Sequence, residues 1–163
     1  PNYGPTLYAS NRILRPQVVV ETGVGSGVSS TFILSALRAN GSGQLFSIDL
    51  PLPDERILPG ARPTGWLVPD QVRSQWELTL GDSKVELPML LQRLGTIDAF
   101  YHDSDHTYVH MMWEYQTAYP FIKVGGLLLS DDTTWGGAWQ HFTERQQGPS
   151  VTINRLGLHR KLT

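Results

Sequence analysis

The sequence predicts an α/β fold, a doubly wound and mostly parallel sheet of seven strands that ends in an antiparallel hairpin. Strand-like apolar segments alternate five times with helix-like amphipathic segments, which is typical of a parallel sheet with helices on both faces. A glycine-rich turn follows the first strand-like segment. Two short strand-like segments with Gly157 near them close the chain, and this pattern favours a hairpin.

Length and composition bound the class of protein. The 163 residues fit one domain, so we expect residues 1–163 to fold as a single unit. Basic and acidic side chains number 13 and 15, a net charge of −2, and no run of like charge indicates a nucleic-acid or membrane partner. The absence of cysteine excludes disulfides and thiolate metal sites.

Targeting signals are also missing from the sequence. It contains no apolar run of about 18 residues and no charged segment followed by an apolar one at its start, so we expect a cytoplasmic protein. The first residue is Pro1, which leaves a trimmed N-terminus open. A homo-oligomer is equally left open.

Residues 18–30 form the segment around which the other elements are arranged. Three valines before Glu21 predict a buried strand, and Gly23, Gly25 and Gly27 follow at alternate positions. Glycines in such a turn let the backbone approach a ligand, and the next helix presents free N–H groups. The dinucleotide pattern needs a small residue where this sequence has Val28. The turn therefore predicts a nucleotide-type cofactor other than a dinucleotide.

Apolar spacing and helix breakers define the other elements of the first half. Helices are predicted over 3–14, which ends before a proline, and from Ser29 or Ser30 as N-cap through Ala39, with Asn40 and Gly41 as the C-terminal signal. Strands are predicted over 44–50 and 76–80, with a short helix over 70–75 between them. Residues 52–65 are rich in proline, and we interpret them as part of a lid or as a surface insertion.

The second half continues the alternation. Predicted elements are a helix over 85–94, a strand over 97–102, a helix with Val109, Met112 and Trp113 on one face, a strand over 127–129 entered through Gly125 and Gly126, a helix through Trp139 and Phe142, and strands over 151–154 and 156–162. The ends of the parallel strands should lie at one edge of the sheet, where such folds bind ligands.

Polar residues at two strand ends are candidates for cofactor contacts. Asp49 lies 22 residues after Gly27, close to the spacing of about 20 at which a carboxylate binds ribose hydroxyls in nucleotide-binding folds. Asp82 and Ser83 follow the third strand, where they would contact an adenine amino group or cap the next helix. Both interpretations stay open for this pair.

Four carboxylates follow the fourth and fifth strands: Asp103, Asp105, Asp131 and Asp132. Like charges gathered in one cleft repel one another unless a cation or a proton offsets them. Oxygen ligands of this kind suit Mg²⁺ or Ca²⁺ better than zinc. We therefore predict a divalent cation here, with helix capping as the alternative role for these side chains.

The order Glu21-x-Gly23-x-Gly25-x-Gly27 resembles the first motif of class I S-adenosylmethionine-dependent methyltransferases, whose Rossmann-like fold adds a closing hairpin to a doubly wound sheet. The resemblance implies that S-adenosyl-L-methionine is the cofactor. It implies a binding set made of Glu21, Gly23, Gly25, Gly27, Asp49, Asp82, Ser83 and Asp103.

Residues 98–106, DAFYHDSDH, and 129–135, LSDDTTW, resemble the metal-binding segments of divalent-cation-dependent O-methyltransferases of the catechol, caffeoyl-coenzyme A and macrocin types. The resemblance implies Mg²⁺ or another divalent cation held by Asp103, Asp131 and Asp132, and methylation of a hydroxyl on a small-molecule acceptor. It implies Asp105 or His106 as the general base.

Other interpretations remain. His106 and His110 could share a helical face as a zinc-like pair, although the glutamate of a zinc hydrolase is missing. The chain could be a metal-independent or non-catalytic cofactor-binding domain of the same fold, or resemble the cephalosporin hydroxylases. Trp66, Trp135 and Trp139 could line an acceptor pocket or pack beneath a lid.

Overall fold

The computed structural model describes residues 3–50 and 58–163. The α-helices within these ranges are α1 (Gly4–Leu14), α2 (Val28–Asn40), α3 (Ser83–Leu94), α4 (Tyr108–Ala118) and α5 (Ala138–Thr143). The strands are β1 (Val18–Thr22), β2 (Gln44–Asp49), β3 (Trp76–Leu80), β4 (Ile97–His102), β5 (Ile122–Ser130), β6 (Ser150–Ile153) and β7 (Leu156–Arg160). Short 3₁₀ helices cover Pro59–Ala61, Asp70–Gln75 and Tyr119–Phe121.

The seven strands form one sheet in the order β3-β2-β1-β4-β5-β7-β6. Strands β1 to β5 pair in parallel, and β7 pairs antiparallel with both β5 and β6. Thr22 pairs with His102, and His102 pairs with Ser130, so β1, β4 and β5 end at the same level. The predicted fold class is confirmed, and the loops after these three strands meet at one edge.

Helices cover both faces of the sheet. Leu87 of α3, Tyr115 of α4 and Phe142 of α5 belong to one apolar cluster with Phe100 of β4. The second cluster joins helices α1 and α2 to the opposite face. Because apolar side chains lie on both sides, every residue of β4 is buried. This double burial explains the continuous apolar strands of the sequence.

The N-terminal capping predicted for α2 is wrong. The N-cap residue is Gly27, with a left-handed backbone at φ 91°, and no side chain caps the helix. The hydroxyl groups of Ser29 and Ser30 donate to Glu21 instead. The C-terminal prediction is confirmed, because Gly41 adopts φ 76° and its N–H bonds back to the last turn.

Two further predictions differ from the structure. Val109 is 74% exposed, although Met112 is buried and Trp113 packs against the core as predicted. Met111 is the further residue that α4 buries against the sheet. Strand β5 begins at Ile122 rather than after the glycine pair. Its pairing with β4 shifts register between Ile97 and Ala99, so the glycines lie within an irregular strand.

Part of the predicted lid, residues 52–57, lies outside the described residues. The remaining part, 58–65, includes the 3₁₀ helix Pro59–Ala61 and ends against the glycine turn, where Gly65 N donates to Gly25 O at 2.8 Å. None of the helices in the described ranges is long and apolar enough to cross a membrane.

Candidate functional site

The glycine turn after β1 is held against the loop after β4. Gly23 adopts φ 83°, and its N–H donates to Ile48 O at 2.9 Å. A Cβ atom at this position would overlap the carbonyl group of Asp103. Only glycine fits both the backbone conformation and this close approach. The turn therefore fixes the spacing between the ends of β1 and β4.

Gly27 lies outside the pocket wall. A Cβ atom there would lie 2.7 Å from Val68 Cγ2 and 2.9 Å from Gly65 Cα. Leu67 N also donates to Ser26 O at 2.9 Å, so residues 65–68 pack directly on the turn. The third glycine of the motif therefore serves this packing, and the structure does not bring it to the predicted cofactor pocket.

Glu21 is completely buried beneath the turn. Its carboxylate accepts hydrogen bonds from the hydroxyls of Ser29 at 2.6 Å, Ser30 at 2.7 Å and Ser47 at 2.6 Å. Burial raises the pKa of Glu21, although the three hydroxyl groups oppose that effect. Glu21 is absent from the pocket lining, so it supports the turn from below.

Asp49 ends β2 with its carboxylate turned toward the glycine turn. Oδ1 accepts from Val24 N at 2.8 Å and from Gly25 N at 3.3 Å, and Oδ2 accepts from Thr64 Oγ1 at 2.9 Å. The side chain is buried yet lines the pocket. These contacts orient a carboxylate at the place where the sequence predicted a ribose partner.

The pocket itself has a volume of about 610 Å³, within the usual range for small-molecule sites. Its wall includes several of the predicted cofactor residues and adds Tyr3, Ser104 and His110. The predicted residues in the wall are Gly23, Gly25, Asp49, Asp82, Ser83, Asp103 and Asp105.

Asp82 and Ser83, for which helix capping and adenine contact were both left open, have different surroundings at the N-terminus of α3. Asp82 is the N-cap, and its Oδ1 accepts from Lys84 N at 2.9 Å. Ser83 is buried, with Oγ 3.2 Å from Nε2 of His110. Capping is therefore the role seen for Asp82, while Ser83 joins α3 to α4 at the pocket wall.

A potential ligand cluster lies beyond the ends of β4 and β5. One ligand atom from each of Asp103, His106 and Asp131 lies within 4.8 Å of the other two. Burial and then the neighbouring Asp131 raise the pKa of Asp103 well above its usual value, and burial raises the pKa of Asp131. Burial lowers the pKa of His106, which favours its neutral, metal-binding form.

Asp132, predicted as the third metal ligand, is not in this cluster. It adopts a left-handed backbone at φ 48°, and its Oδ1 lies 3.0 Å from Nε of Arg155. The same guanidinium lies 3.7 Å from Oδ2 of Asp131. Arg155 comes from the turn between β6 and β7 and was not identified from the sequence, because a single arginine in a turn carries no distinguishing pattern.

The two candidate bases occupy different places. Asp105 is exposed at the pocket wall, where its carboxylate accepts from Thr107 N at 3.0 Å and Thr107 Oγ1 at 3.2 Å. His106 lies in the ligand cluster, with Nε2 3.8 Å from Asp103 Oδ1. Because His106 precedes α4, it does not share a helical face with His110, and the zinc-like pair is not formed.

Another buried carboxylate, Glu114, was missed by the sequence analysis. It accepts from Thr22 Oγ1 at 2.5 Å, His102 Nδ1 at 2.6 Å, Ser104 Oγ at 2.9 Å and His110 Nε2 at 2.9 Å. Burial alone would raise its pKa, but the bonds from the two histidines hold the pKa of Glu114 well below its usual range.

The sequence does contain one signal for this residue. Glu114 lies three residues after Met111 and four before Ala118, which are both buried on α4. An acidic residue at that spacing falls on the core face of the helix and needs internal partners.

The three tryptophans have different surroundings. Trp135 is 58% exposed, and its ring centroid lies 6.2 Å from that of His106. Trp139 is buried in the core, with an edge contact to Tyr115. The guanidinium of Arg62 lies over Trp66 at 4.1 Å. Trp135 is thus the one of the three that stands next to the ligand cluster.

Comparisons with known proteins agree with this architecture. A family model described as a methyltransferase domain matches residues 20–133. A search of curated proteins finds no match to the sequence.

Solved structures share the fold at low sequence identity. TomG from Streptomyces achromogenes, an O-methyltransferase described as involved in tomaymycin synthesis and in complex with SAM, is 17% identical over 99% of this chain and 80% of that one, with a TM-score of 0.74. An O-methyltransferase from Bacillus cereus in complex with SAH is 13% identical, covering 99% and 81%, with a TM-score of 0.73. A methyltransferase from Geobacter sulfurreducens is 23% identical, covering 100% and 79%, with a TM-score of 0.73.

Proposed function

Because the chain belongs to the family of methyltransferase domains matched by its residues 20–133, we propose that it is an S-adenosylmethionine-dependent O-methyltransferase acting on a small-molecule hydroxyl, with residues 1–163 as one catalytic domain. The observation that carries the proposal is the position of Asp103. This side chain lines the 610 Å³ pocket and also belongs to the cluster with His106 and Asp131. A cofactor in the pocket and an acceptor at the cluster would meet at this residue.

The pocket wall supports specific cofactor contacts. Asp49 is the proposed partner of the ribose hydroxyls, because the amides of the glycine turn fix its carboxylate in the wall. Asp82 and Ser83 are proposed to face the adenine, and Gly23 and Gly25 leave room for the methionine portion. Glu21 and Gly27 would act indirectly, by supporting the turn.

When bound, S-adenosylmethionine supplies an electrophilic methyl carbon. The tasks left to the chain are alignment of the acceptor oxygen and removal of its proton. Asp103 and Asp131 fit a divalent cation, since Oδ1 of Asp131 is buried without a hydrogen-bond partner among the described residues. The resemblance adds Asp132 as a third ligand and Mg²⁺ as the ion, but Asp132 lies outside the cluster and faces Arg155. Such a cation would lower the pKa of the acceptor hydroxyl.

Asp105 is the preferred proton acceptor. Its carboxylate lies at the pocket wall two residues from Asp103, and the two bonds from Thr107 leave lone pairs free on both oxygens. His106 is the alternative base. The exposed ring of Trp135, beside His106, offers an apolar wall for the acceptor.

Calorimetry combined with a methyl-transfer assay tests the proposal. We expect S-adenosylmethionine to bind the purified chain in a 1:1 ratio. We expect S-adenosylhomocysteine to form when a panel of hydroxylated small molecules is added with Mg²⁺ or Mn²⁺. Full turnover in excess EDTA would remove the cation from the proposal. Cofactor binding without turnover on any acceptor or metal would instead support a non-catalytic domain.

A further inference from the structure

We propose that the cation site is a mixed nitrogen and oxygen centre, in which Asp103, His106 and Asp131 are the protein ligands and Asp132 is not. A site of this composition selects a first-row transition ion such as Mn²⁺, Fe²⁺, Co²⁺ or Zn²⁺ over Mg²⁺. Its role in methyl transfer rests on the proposed function, but the identity of its ligands is argued from the side chains themselves.

The three ligand atoms are close enough to hold one ion. They lie within 4.8 Å of one another, and His106 Nε2 is 3.8 Å from Asp103 Oδ1. Ligand atoms at about 2.0–2.2 Å from a common ion are separated by at most about 4.4 Å. Small rotations of these side chains would therefore close the cluster around a cation.

Two of the three atoms lack any other partner. Nε2 of His106 and Oδ1 of Asp131 are both buried, and neither has a hydrogen bond within the described ranges. Asp131 as a whole is only 4% exposed. Buried polar atoms are nearly always paired, because an unpaired one loses its bonds to water without replacement. A cation between these atoms would supply the missing partner for both.

Arg155 explains why Asp132 is excluded. Its Nε lies 3.0 Å from Asp132 Oδ1, so a positive charge already faces that carboxylate, although Oδ1 has no hydrogen bond within the described ranges. The second contact, 3.7 Å from Nη2 to Asp131 Oδ2, leaves Oδ1 of Asp131 free. Arg155 thus offsets the charge that a third carboxylate ligand would bring, and His106 takes the third ligand position as a neutral donor.

The donor atoms determine which ions bind well. Mg²⁺ takes oxygen ligands in an octahedron and keeps several waters, whereas imidazole nitrogen suits transition ions. Replacing one carboxylate by His106 lowers the negative charge of the ligand set. This change weakens the binding of Mg²⁺ more than the binding of an ion that bonds well to nitrogen. We therefore expect at least tenfold tighter binding of Co²⁺ than of Mg²⁺.

Metal binding to the full metal-free chain tests the ligand set. Titration calorimetry with Co²⁺ and Mg²⁺ is run on the parent, His106→Ala, His106→Gln, Asp131→Asn and Asp132→Asn. His141→Ala is the matched control, because His141 is exposed and lies outside the cluster. We expect His106→Ala and His106→Gln to lower the affinity for Co²⁺ at least tenfold and the affinity for Mg²⁺ less than threefold. Asp132→Asn and His141→Ala should change Co²⁺ affinity less than threefold.

Pulsed EPR of bound Mn²⁺ gives a readout that is independent of turnover. We expect nitrogen coupling from one imidazole in the parent and in His141→Ala, and none in His106→Ala or His106→Gln. Circular dichroism and thermal unfolding establish that each variant is folded. Bound Mn²⁺ without imidazole coupling would overturn the proposal. It would also be overturned if Asp132→Asn and Asp131→Asn lost Co²⁺ affinity equally while the His106 variants kept the affinity of the parent.

Failure of the metal proposal and failure of the proposed function are distinguishable. If S-adenosylmethionine binds and methyl transfer proceeds while His106 variants bind Co²⁺ like the parent, the ligand set is wrong and the function stands. If the imidazole coupling is seen but neither cofactor binding nor transfer occurs, the metal centre stands and the function is wrong.

Discussion

Oε2 of Glu114 lies 2.6 Å from Nδ1 of His102, and both side chains are completely buried. The same carboxylate also accepts from Ser104 and His110, which line the pocket. One buried charge therefore connects the end of β4 to two residues of the candidate cofactor site. The arrangement makes Glu114 a positioning residue, because it acts on the pocket through its partners.

Glu114→Gln is expected to destabilise the chain by about 3 kcal/mol, because an amide nitrogen would face groups that donate to the carboxylate. Cofactor affinity should fall as well, since the amide cannot accept all the hydrogen bonds that reach the carboxylate, two of which come from Ser104 and His110. Urea denaturation and calorimetry measure the two effects. Glu144→Gln, at an exposed glutamate, is the matched control and should stay within about 0.5 kcal/mol of the parent.

The stability lost in Glu114→Gln should depend on pH, because the pKa of Glu114 is lowered in the folded chain. The unfolded chain takes up the proton first, so the stability from the ionised carboxylate is complete above about pH 4.5 and declines as the pH falls further. The difference between the parent and Glu114→Gln should therefore shrink between about pH 4.5 and pH 3. A difference that stays constant over this range would contradict the assignment.

Asp103→Asn is expected to stabilise the metal-free chain. Burial and then Asp131 raise the pKa of Asp103, so ionisation at pH 7 costs folding free energy. The amide removes that cost, and we expect a gain of about 1 kcal/mol in the free energy of unfolding in EDTA. The gain should shrink as the pH falls and the parent carboxyl group becomes protonated. Asp105→Asn, at an exposed position, should show no such gain.

Gly25→Val is expected to abolish cofactor binding while the chain stays folded. Gly25 lines the pocket with φ 51°, so a branched side chain would both strain the turn and occupy the space of the cofactor. Gly41→Val is the matched control, because Gly41 has a similar φ of 76° and open space around its Cβ position. Calorimetry should show binding lost only at position 25, and retained affinity in a folded Gly25→Val chain would defeat the pocket assignment.

Asp105→Asn is expected to lower the rate of methyl transfer by roughly 10² to 10⁴ with cofactor and metal affinities unchanged. Thr107→Ala is the control, because it removes the hydroxyl contact to Asp105 but keeps the carboxylate. Single-turnover kinetics at saturating metal measure the step. If Asp105→Asn and the parent react at equal rates, the base is His106 or a water molecule.

The sequence predicted those features that depend on neighbours along the chain. Strand β4 and the 3₁₀ helix Asp70–Gln75 have the predicted bounds, because apolar runs and proline act locally. The carboxylates of Asp103 and Asp131 were predicted to converge because parallel strands end at one edge, and the structure brings them together.

Features that depend on contacts between distant residues could not be predicted in this way. The buried side of α4 was misjudged at Val109, because the sheet against which it packs decides that side. The hydroxyls of Ser29 and Ser30 turn to Glu21, a choice that the sequence alone does not separate from helix capping. The contact of Arg155 with Asp132 depends on how the last hairpin docks.

The position of β7 between β5 and β6 has a consequence for biosynthesis. While the chain leaves the ribosome, β5 is an unpaired edge, since Leu127 to Ser130 find their antiparallel partners only at residues 157–160. Such an edge can pair with other chains, so the nascent protein is exposed to aggregation until the last strand docks. Docking of β7 also brings Arg155 to Asp131 and Asp132. Completion of the sheet and partial neutralisation of these two carboxylates therefore occur in one step.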